Sequence, residues 1–303
     1  MIEKAEAKDL QQIYRIYKEA FSFDDNGSID HYFRYYYDPA NCSLIRNGEQ
    51  IACIAMTNKH TLLLHERRVE ASLISGVATI PSYRRQGLMS ILLRELLEEL
   101  SAKELVTLIQ AYHPEYYEPF GFAMTYRKNK YLFSKAVKAP AGYLVSNQFQ
   151  VEELWNLYHR FTAHFTGYSL RTLEQFRKYI LGVKAEGGSI LVCRNPQRQL
   201  IGYAMTYPQA DVLRAEELIY ADFQVLLVLV NAMLERYPQA EIWLSRAENL
   251  SKFLPEVKMR EEGFMMARIN DYHLFNRLFS SKVNSIEGGF ALSNKPLYLT
   301  EYY

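Results

Sequence analysis

Hydrophobic residues change their period several times along this chain, and each change predicts an element. From Leu10 to Phe21 apolar side chains fall at Ile13, Tyr14, Ile16, Tyr17 and Phe21 with charges between them, the spacing of one helical face. Beyond the aromatic run HYFRYYYDP, Ser43–Ile45 and Ile51–Met56 flank Asn47-Gly48, the dipeptide that best marks a tight hairpin. Thr61–Leu64 and Val69–Ala78 read as two further strands joined by a polar turn at Glu66 and Arg67. The period then becomes 3.6: Met89, Leu92, Leu93, Leu96, Leu97 and Leu100 share one side of a helix over Leu88–Leu100, with Arg94, Glu95, Glu98 and Glu99 opposite. The short apolar run Leu105–Ala111 comes after that helix, which predicts a buried strand parallel to the one before it. The order is helix, antiparallel meander, helix, parallel strand, hence a mixed sheet.

The second half repeats this plan. SLIRNGEQIACIAMT and ILVCRNPQRQLIGYAMTY are both hairpins ending in Ala-Met-Thr. Val151–Phe165 supplies a preceding helix, Phe223–Leu234 a later one and Ala240–Leu244 the next strand, and the halves close alike in EPFGFAM and REEGFMMARI. KAPAG, with Pro140 and Gly142, punctuates the boundary. The expected class is α/β (α+β), two tandem domains over residues 1–138 and 139–270, each a mixed, mostly antiparallel sheet flanked by helices. Residues 271–303 form a short C-terminal segment.

Composition narrows the function classes. The 303 residues are 49% hydrophobic and 23% charged, the balance of a globular protein with an ample core. Lys+Arg 35 against Asp+Glu 34 leaves a net charge of +1, so no overall field favours nucleic acid or an anionic membrane. The start MIEKAEAKDL has no secretory pattern, and the longest apolar run, around Val225–Val230, is far below the ~20 residues of a membrane span. Cys42, Cys53 and Cys193 lie far apart with no metal-ligand spacing, which suits free thiols in the cytoplasm and no metal.

One stretch carries chemistry. GVATIPSYRRQGLMSILL sets a strand, a loop with two arginines and a helix start in succession, an arrangement whose unpaired N–H groups and positive helix end favour a diphosphate. It is neither GxxxxGK[ST] nor GxGxxG, so ATP and dinucleotides are disfavoured. Arg84-Arg85-Gln86-Gly87-Leu88-Met89 resembles the (Q/R)xxGx(G/A) loop of the GNAT acetyltransferase superfamily, with Met89 in place of the last small residue. Together with the preceding Val-Ala-x-x-Pro and the tandem plan, it is similar to the Eis-like branch, whose third, sterol-carrier-like domain would here be reduced to residues 271–303.

The resemblance implies acetyl-CoA as co-substrate. Val77, Ala78 and Thr79 would lie on a splayed strand beside the pantetheine arm, contacting the thioester oxygen. Arg84, Arg85, Gln86, Gly87, Leu88, Met89 and Ser90 would hold the pyrophosphate, and Tyr112 and His113 would flank the cofactor. YYEPFGF matches the segment in which the family places a general acid, implying Tyr117, with Tyr116 as the neighbouring alternative. Full proton transfer from tyrosine, near about 10, to thiolate, near about 8.5, is uphill by roughly 2 kcal/mol, so a hydrogen bond to the departing thiolate is the expected role. The family's terminal carboxylate would be that of Tyr303, accepting a proton after attack.

The second half has no Arg-x-x-Gly loop, since YADFQVLLVLV stands at the equivalent place, and is expected not to bind CoA. The aromatic clusters HYFRYYY and HRFTAHF are candidates for lining the substrate cleft, with Asp24 and Asp25 attracting a cationic amine. The expected reaction is acetylation of a primary amine of a small molecule or a lysine-like acceptor. The alternative is a CoA-binding regulator without turnover; lipid carriage would need the missing domain. No nucleic-acid or membrane partner is expected, and homo-oligomerisation stays open.

Overall fold

The computed structural model describes residues 2–301. In chain order its elements are β1 (Ile2–Lys4), α1 (Leu10–Phe21), α2 (Ser28–Tyr35), β2 (Cys42–Asn47), β3 (Gln50–Leu64), β4 (Arg67–Thr79), α3 (Leu88–Ser101), β5 (Val106–Ile109) and β6 (Ala123–Phe133). Next come β7 (Leu144–Ser146), α4 (Val151–Thr162), β8 (Tyr168–Ser169), α5 (Leu173–Ala185), β9 (Ser189–Arg194), β10 (Leu200–Gln209), β11 (Val212–Tyr220) and α6 (Phe223–Leu234). The chain ends with β12 (Gln239–Ser245), β13 (Lys258–Ile269), α7 (Tyr272–Phe279) and α8 (Ile286–Phe290). The mixed α/β class agrees with the sequence.

Two compact units share these elements, and neither is one continuous stretch. The first holds residues up to Thr125 and Phe264–Leu292; the second holds Tyr126–Gly263 and Ser293–Glu301. In the first unit the strands run β1-β2-β3-β4-β5-β13, and in the second β7-β9-β10-β11-β12-β6. Each row is antiparallel except for one parallel pair, β4 with β5 and β11 with β12. The outer neighbour of each parallel pair is donated from across the sequence. Met266–Ile269 of β13 pair with Ile109–Val106, and Lys128–Phe133 of β6 pair with Ser245–Ala240.

Alternation along the strands divides each core into two layers. In the first unit Ile54 and Met56 pack with Ile13, Ile16 and Tyr17 of α1, while Cys53 and Ala55 pack with Leu92, Leu93, Leu96 and Leu97 of α3. In the second unit Ala204 lies under α6, whose residues Val225–Val230 are all buried, while the neighbouring Tyr203 meets Phe176 of α5. Helix α6 is apolar all round because it is covered all round.

One expectation is corrected. Ile51–Met56 and Thr61–Leu64 are one fifteen-residue strand, β3. Its polar link is not looped out: Asn58 and His60 are buried and Lys59 is exposed, and Asn58 donates to Ser75 Oγ at 3.0 Å across the β3–β4 pair. The aromatic run HYFRYYY is largely helix α2. Among the described residues no helix is long and apolar enough to cross a membrane, and no group of three His, Cys, Asp or Glu is arranged to hold a metal.

Candidate functional site

The site is built where β4 parts from β5. The two pair in parallel from Ala71 opposite Val106 to Ile74 opposite Ile109, but β4 continues to Thr79. Over that extension β3 holds one edge, with Cys53 opposite Thr79. A bulge sets the divergence: Met56 and Ile54 face Ser75 and Ala78, so β4 carries one residue more than its partner. An extra residue bends a strand and increases its local twist. Gly76 lies inside this bulge at φ +58, and a Cβ there would collide with Met56 Cε and the Tyr17 ring. Both backbone handedness and space require glycine. The outer edge of Ser75–Thr79 meets no strand among the described residues, which leaves backbone donors and acceptors for an extended ligand.

The loop after β4 is the candidate anion site. Ile80 N–H donates to Ala52 O at 3.0 Å, and Arg84 Nε donates to Thr79 O at 3.1 Å, which ties the loop to the strand end. Gln86 Nε2 donates to Ser82 O at 3.3 Å. Arg85 and Gly87 both sit in the left-handed region, at φ 62 and 78. Such alternation turns successive peptide N–H groups toward a common concavity. Nothing would touch a Cβ on Gly87, so its requirement is conformational and its surface is open to a ligand. Helix α3 begins at Leu88 without a side-chain cap, leaving its first N–H groups to other acceptors, and the guanidinium groups of Arg84 and Arg85 are exposed beside them. Met89 and Leu88 pack against the apolar layer that contains Leu92 and Leu93. The bulk of Met89 is thus spent on the core, which accounts for a large residue at a position where the family pattern has a small one.

Tyr117 and Tyr116 are distinguished by their surroundings. Tyr116 is exposed and leans on the His113 ring at 5.1 Å. Tyr117 is half-buried against the layer containing Cys53, edge-on to Phe122. Cys53 in turn accepts a hydrogen bond from Thr79 Oγ1 at 3.2 Å, so Tyr117, Cys53 and the open end of β4 form one cluster. Burial, with the Cys53 thiol as a smaller cause, pushes the Tyr117 phenol up to about 12. Burial also raises Cys53. A phenol held this high is protonated at neutral pH.

The other expected residues fall into three groups. Tyr112 is exposed and meets exposed Phe23 edge-to-face at 5.2 Å; His113 is exposed with Nδ1 3.2 Å from Glu115 Oε1. Asp25 is committed to the start of α2, accepting from Gly27 N–H at 2.9 Å, and lies 3.5 Å from Lys18 Nζ, so it is not the free carboxylate expected for an incoming amine. The side chain of Asp24 and all of Tyr303 lie outside the described residues. Sequence reasoning missed Gly76, Tyr17 and Cys53. A glycine inside the strand pattern SLISGVAT was the available sign of the bulge.

With this geometry in view, residues 1–125 match the family described as the Acetyltransferase (GNAT) domain. No curated protein matches the chain in sequence. Solved structures do. A conserved protein of unknown function from Enterococcus faecalis V583, described as a probable N-acyltransferase, is similar at 15% identity and TM-score 0.76 over 91% of this chain and 74% of that one. Eis1 from Mycobacterium abscessus is similar at 15% identity and TM-score 0.70, over 91% and 75%. A tandem GNAT protein from the clavulanic acid biosynthesis pathway aligns at 9% identity and TM-score 0.57, over 89% and 99%. Residues 1–125 thus match the GNAT domain family, and over the whole chain the fold is similar to that of tandem GNAT proteins. Domains of this family use an acyl-CoA.

Proposed function

We propose that the protein is an N-acetyltransferase that moves the acetyl group of acetyl-CoA to a primary amine of a small molecule or a lysine-like acceptor. The observation that carries this reading is the open edge of β4 running directly into an uncapped helix start. Val77, Ala78 and Thr79 on that edge would accompany the pantetheine arm, with a backbone N–H toward the thioester oxygen. Arg84, Arg85 and the N–H groups of Gln86 to Ser90 would hold the pyrophosphate, with Tyr112 and His113 at its flank. An uncharged amine attacks the thioester carbonyl, the backbone donors stabilise the oxygen as it becomes negative, and Tyr117 donates a hydrogen bond to sulfur as the C–S bond breaks. The carboxylate of Tyr303 is the proposed acceptor of the amine proton after attack. On this reading the first unit, residues 1–125 with 264–292, is the catalytic one and the second is a degenerate copy.

A screen of thiol release from acetyl-CoA against an amine library tests the reading, and release above the amine-free rate with at least one primary amine is expected. Tyr117→Phe should lower kcat by about 10²-fold while CoA affinity stays within threefold. Because burial raises Tyr117, its donor form persists through alkaline pH, and the rate should show no loss centred near pH 10 from this group. Equal kcat in the two proteins would remove Tyr117 from the mechanism, whereas CoA binding with no thiol release for any amine would favour the alternative of a CoA-binding regulator.

A further inference from the structure

The second unit repeats the parting of strands but fills the gap. Strands β11 and β12 pair in parallel only from Val212 opposite Gln239 to Ala215 opposite Ile242, after which β11 runs on to Tyr220 and β12 to Ser245. Here too a bulge stands at the divergence: Met205 and Thr206 are consecutive but face Glu217 and Ala215, so Glu216 is the extra residue.

Into this gap comes the chain's own C-terminal segment. Ser245 Oγ, at the end of β12, donates to Leu297 O at 2.8 Å; Thr300 Oγ1 donates to Glu217 Oε2, on the diverging part of β11, at 2.6 Å. The segment therefore touches both lips within four residues. Its backbone is paired as well, since Tyr298 N–H donates to Thr166 O at 3.1 Å and Thr166 N–H to Pro296 O at 2.9 Å. Tyr298, Leu299, Thr300 and Glu301 are all buried.

The anchor is ionic and lies out of water. Arg171, 5% exposed, places Nε 2.6 Å from Glu301 Oε1 and Nη1 2.8 Å from Glu217 Oε2, and its Nη2 donates to Thr300 Oγ1 at 2.9 Å. Glu217 is fully buried and also accepts from Tyr203 O–H at 2.7 Å. Lys128, 2% exposed, stands over the Tyr298 ring at 5.1 Å. A buried charge is tolerated only with its partner in place, so the arginine selects a segment that brings a carboxylate.

We propose that the gap between β11 and β12 is a binding site for an extended acidic peptide bearing an aromatic residue, that its ligand is the chain's own Pro296–Glu301, and that Arg171 reads the Glu301 carboxylate. The second unit is thereby a receptor for the end of the chain and has no place for an acyl-CoA arm in that gap. This holds whether or not the first unit is catalytic.

The test uses the full chain with a specific protease site inserted between exposed Asn294 and Lys295. After cleavage, the fragment from Lys295 onward should stay with the body through gel filtration. It should be displaced by an excess of labelled synthetic peptide of the same sequence, and at least tenfold less well by that peptide carrying E301Q. The body is the same cleaved protein in both arms, so misfolding does not distinguish them. Immediate loss of the fragment, or equal competition by the two peptides, overturns the proposal. Displacement of the fragment by acetyl-CoA also overturns it, because the gap would then be a CoA site.

Discussion

The two units start from the same strand arithmetic and end with different surfaces. Each has a parallel pair that lasts four residues and a one-residue bulge immediately after it. In the first unit the bulge holds a left-handed glycine and the next helix, α3, opens without a side-chain cap. In the second unit the bulged residue is Glu216, and α6 opens under Asp222, whose Oδ1 accepts from Val225 N–H at 3.0 Å. A carboxylate already occupies the position where an anion would be drawn, so the helix start is satisfied and repels phosphate. The gap beyond is filled by Pro296–Glu301. A strand divergence is thus not a cofactor site by itself; the loop and the helix start after the strand decide whether it becomes one.

Substitutions break this comparison in a definite order. Arg171→Met leaves Glu217 and Glu301 buried without their cation and should lower the unfolding free energy by about 3–5 kcal/mol in a denaturant titration. A loss under 1 kcal/mol would mean that the anchor carries no weight. Gly76→Ala puts a side chain into Tyr17 and Met56 at a positive φ and should cost about 2–3 kcal/mol together with CoA binding. Retained CoA affinity would show that the bulge does not shape the open edge. Reversing both Arg84 and Arg85 to Glu should weaken CoA binding at least tenfold by calorimetry without changing thermal stability, since both are exposed. Asp222→Ala is the mildest: removing the cap should cost about 1 kcal/mol while CoA stoichiometry remains one per chain. A second equivalent of CoA in that variant would show that Asp222 alone had closed the second unit.

Legibility in the sequence tracked the range of the interactions involved. Helices α1 and α3 were readable because a 3.6-residue period is a local property, and the loop at Arg84–Gly87 because its function depends on consecutive backbone groups. Strand β3 was read as two because Asn58-Lys59-His60 breaks the apolar pattern; Asn58 is accommodated by Ser75 on the facing strand, which no local window shows. EPFGFAM and REEGFMMARI were visible as matching segments, but not that they lead into strands that join the other half's row. The pairing of Glu301 with Arg171 was not legible, because the two are 130 residues apart. Tyr117 was placed by motif, and only its packing against the layer containing Cys53 separates it from Tyr116.

The donated strands also put a clock on the first unit. Ile109 has its antiparallel partner in Met266, and Val106 in Ile269, so the first row of strands is not complete until about 160 further residues have been synthesised. At about 5–20 residues per second that is roughly ten to thirty seconds during which the outer edge of β5 has no native neighbour on the ribosome. Contacts this distant in sequence also slow the search for the native pairing once the chain is released. A nascent chain stalled before residue 264 would present that edge to chaperones or to other copies of itself, and the yield of folded protein should depend on how long synthesis pauses there.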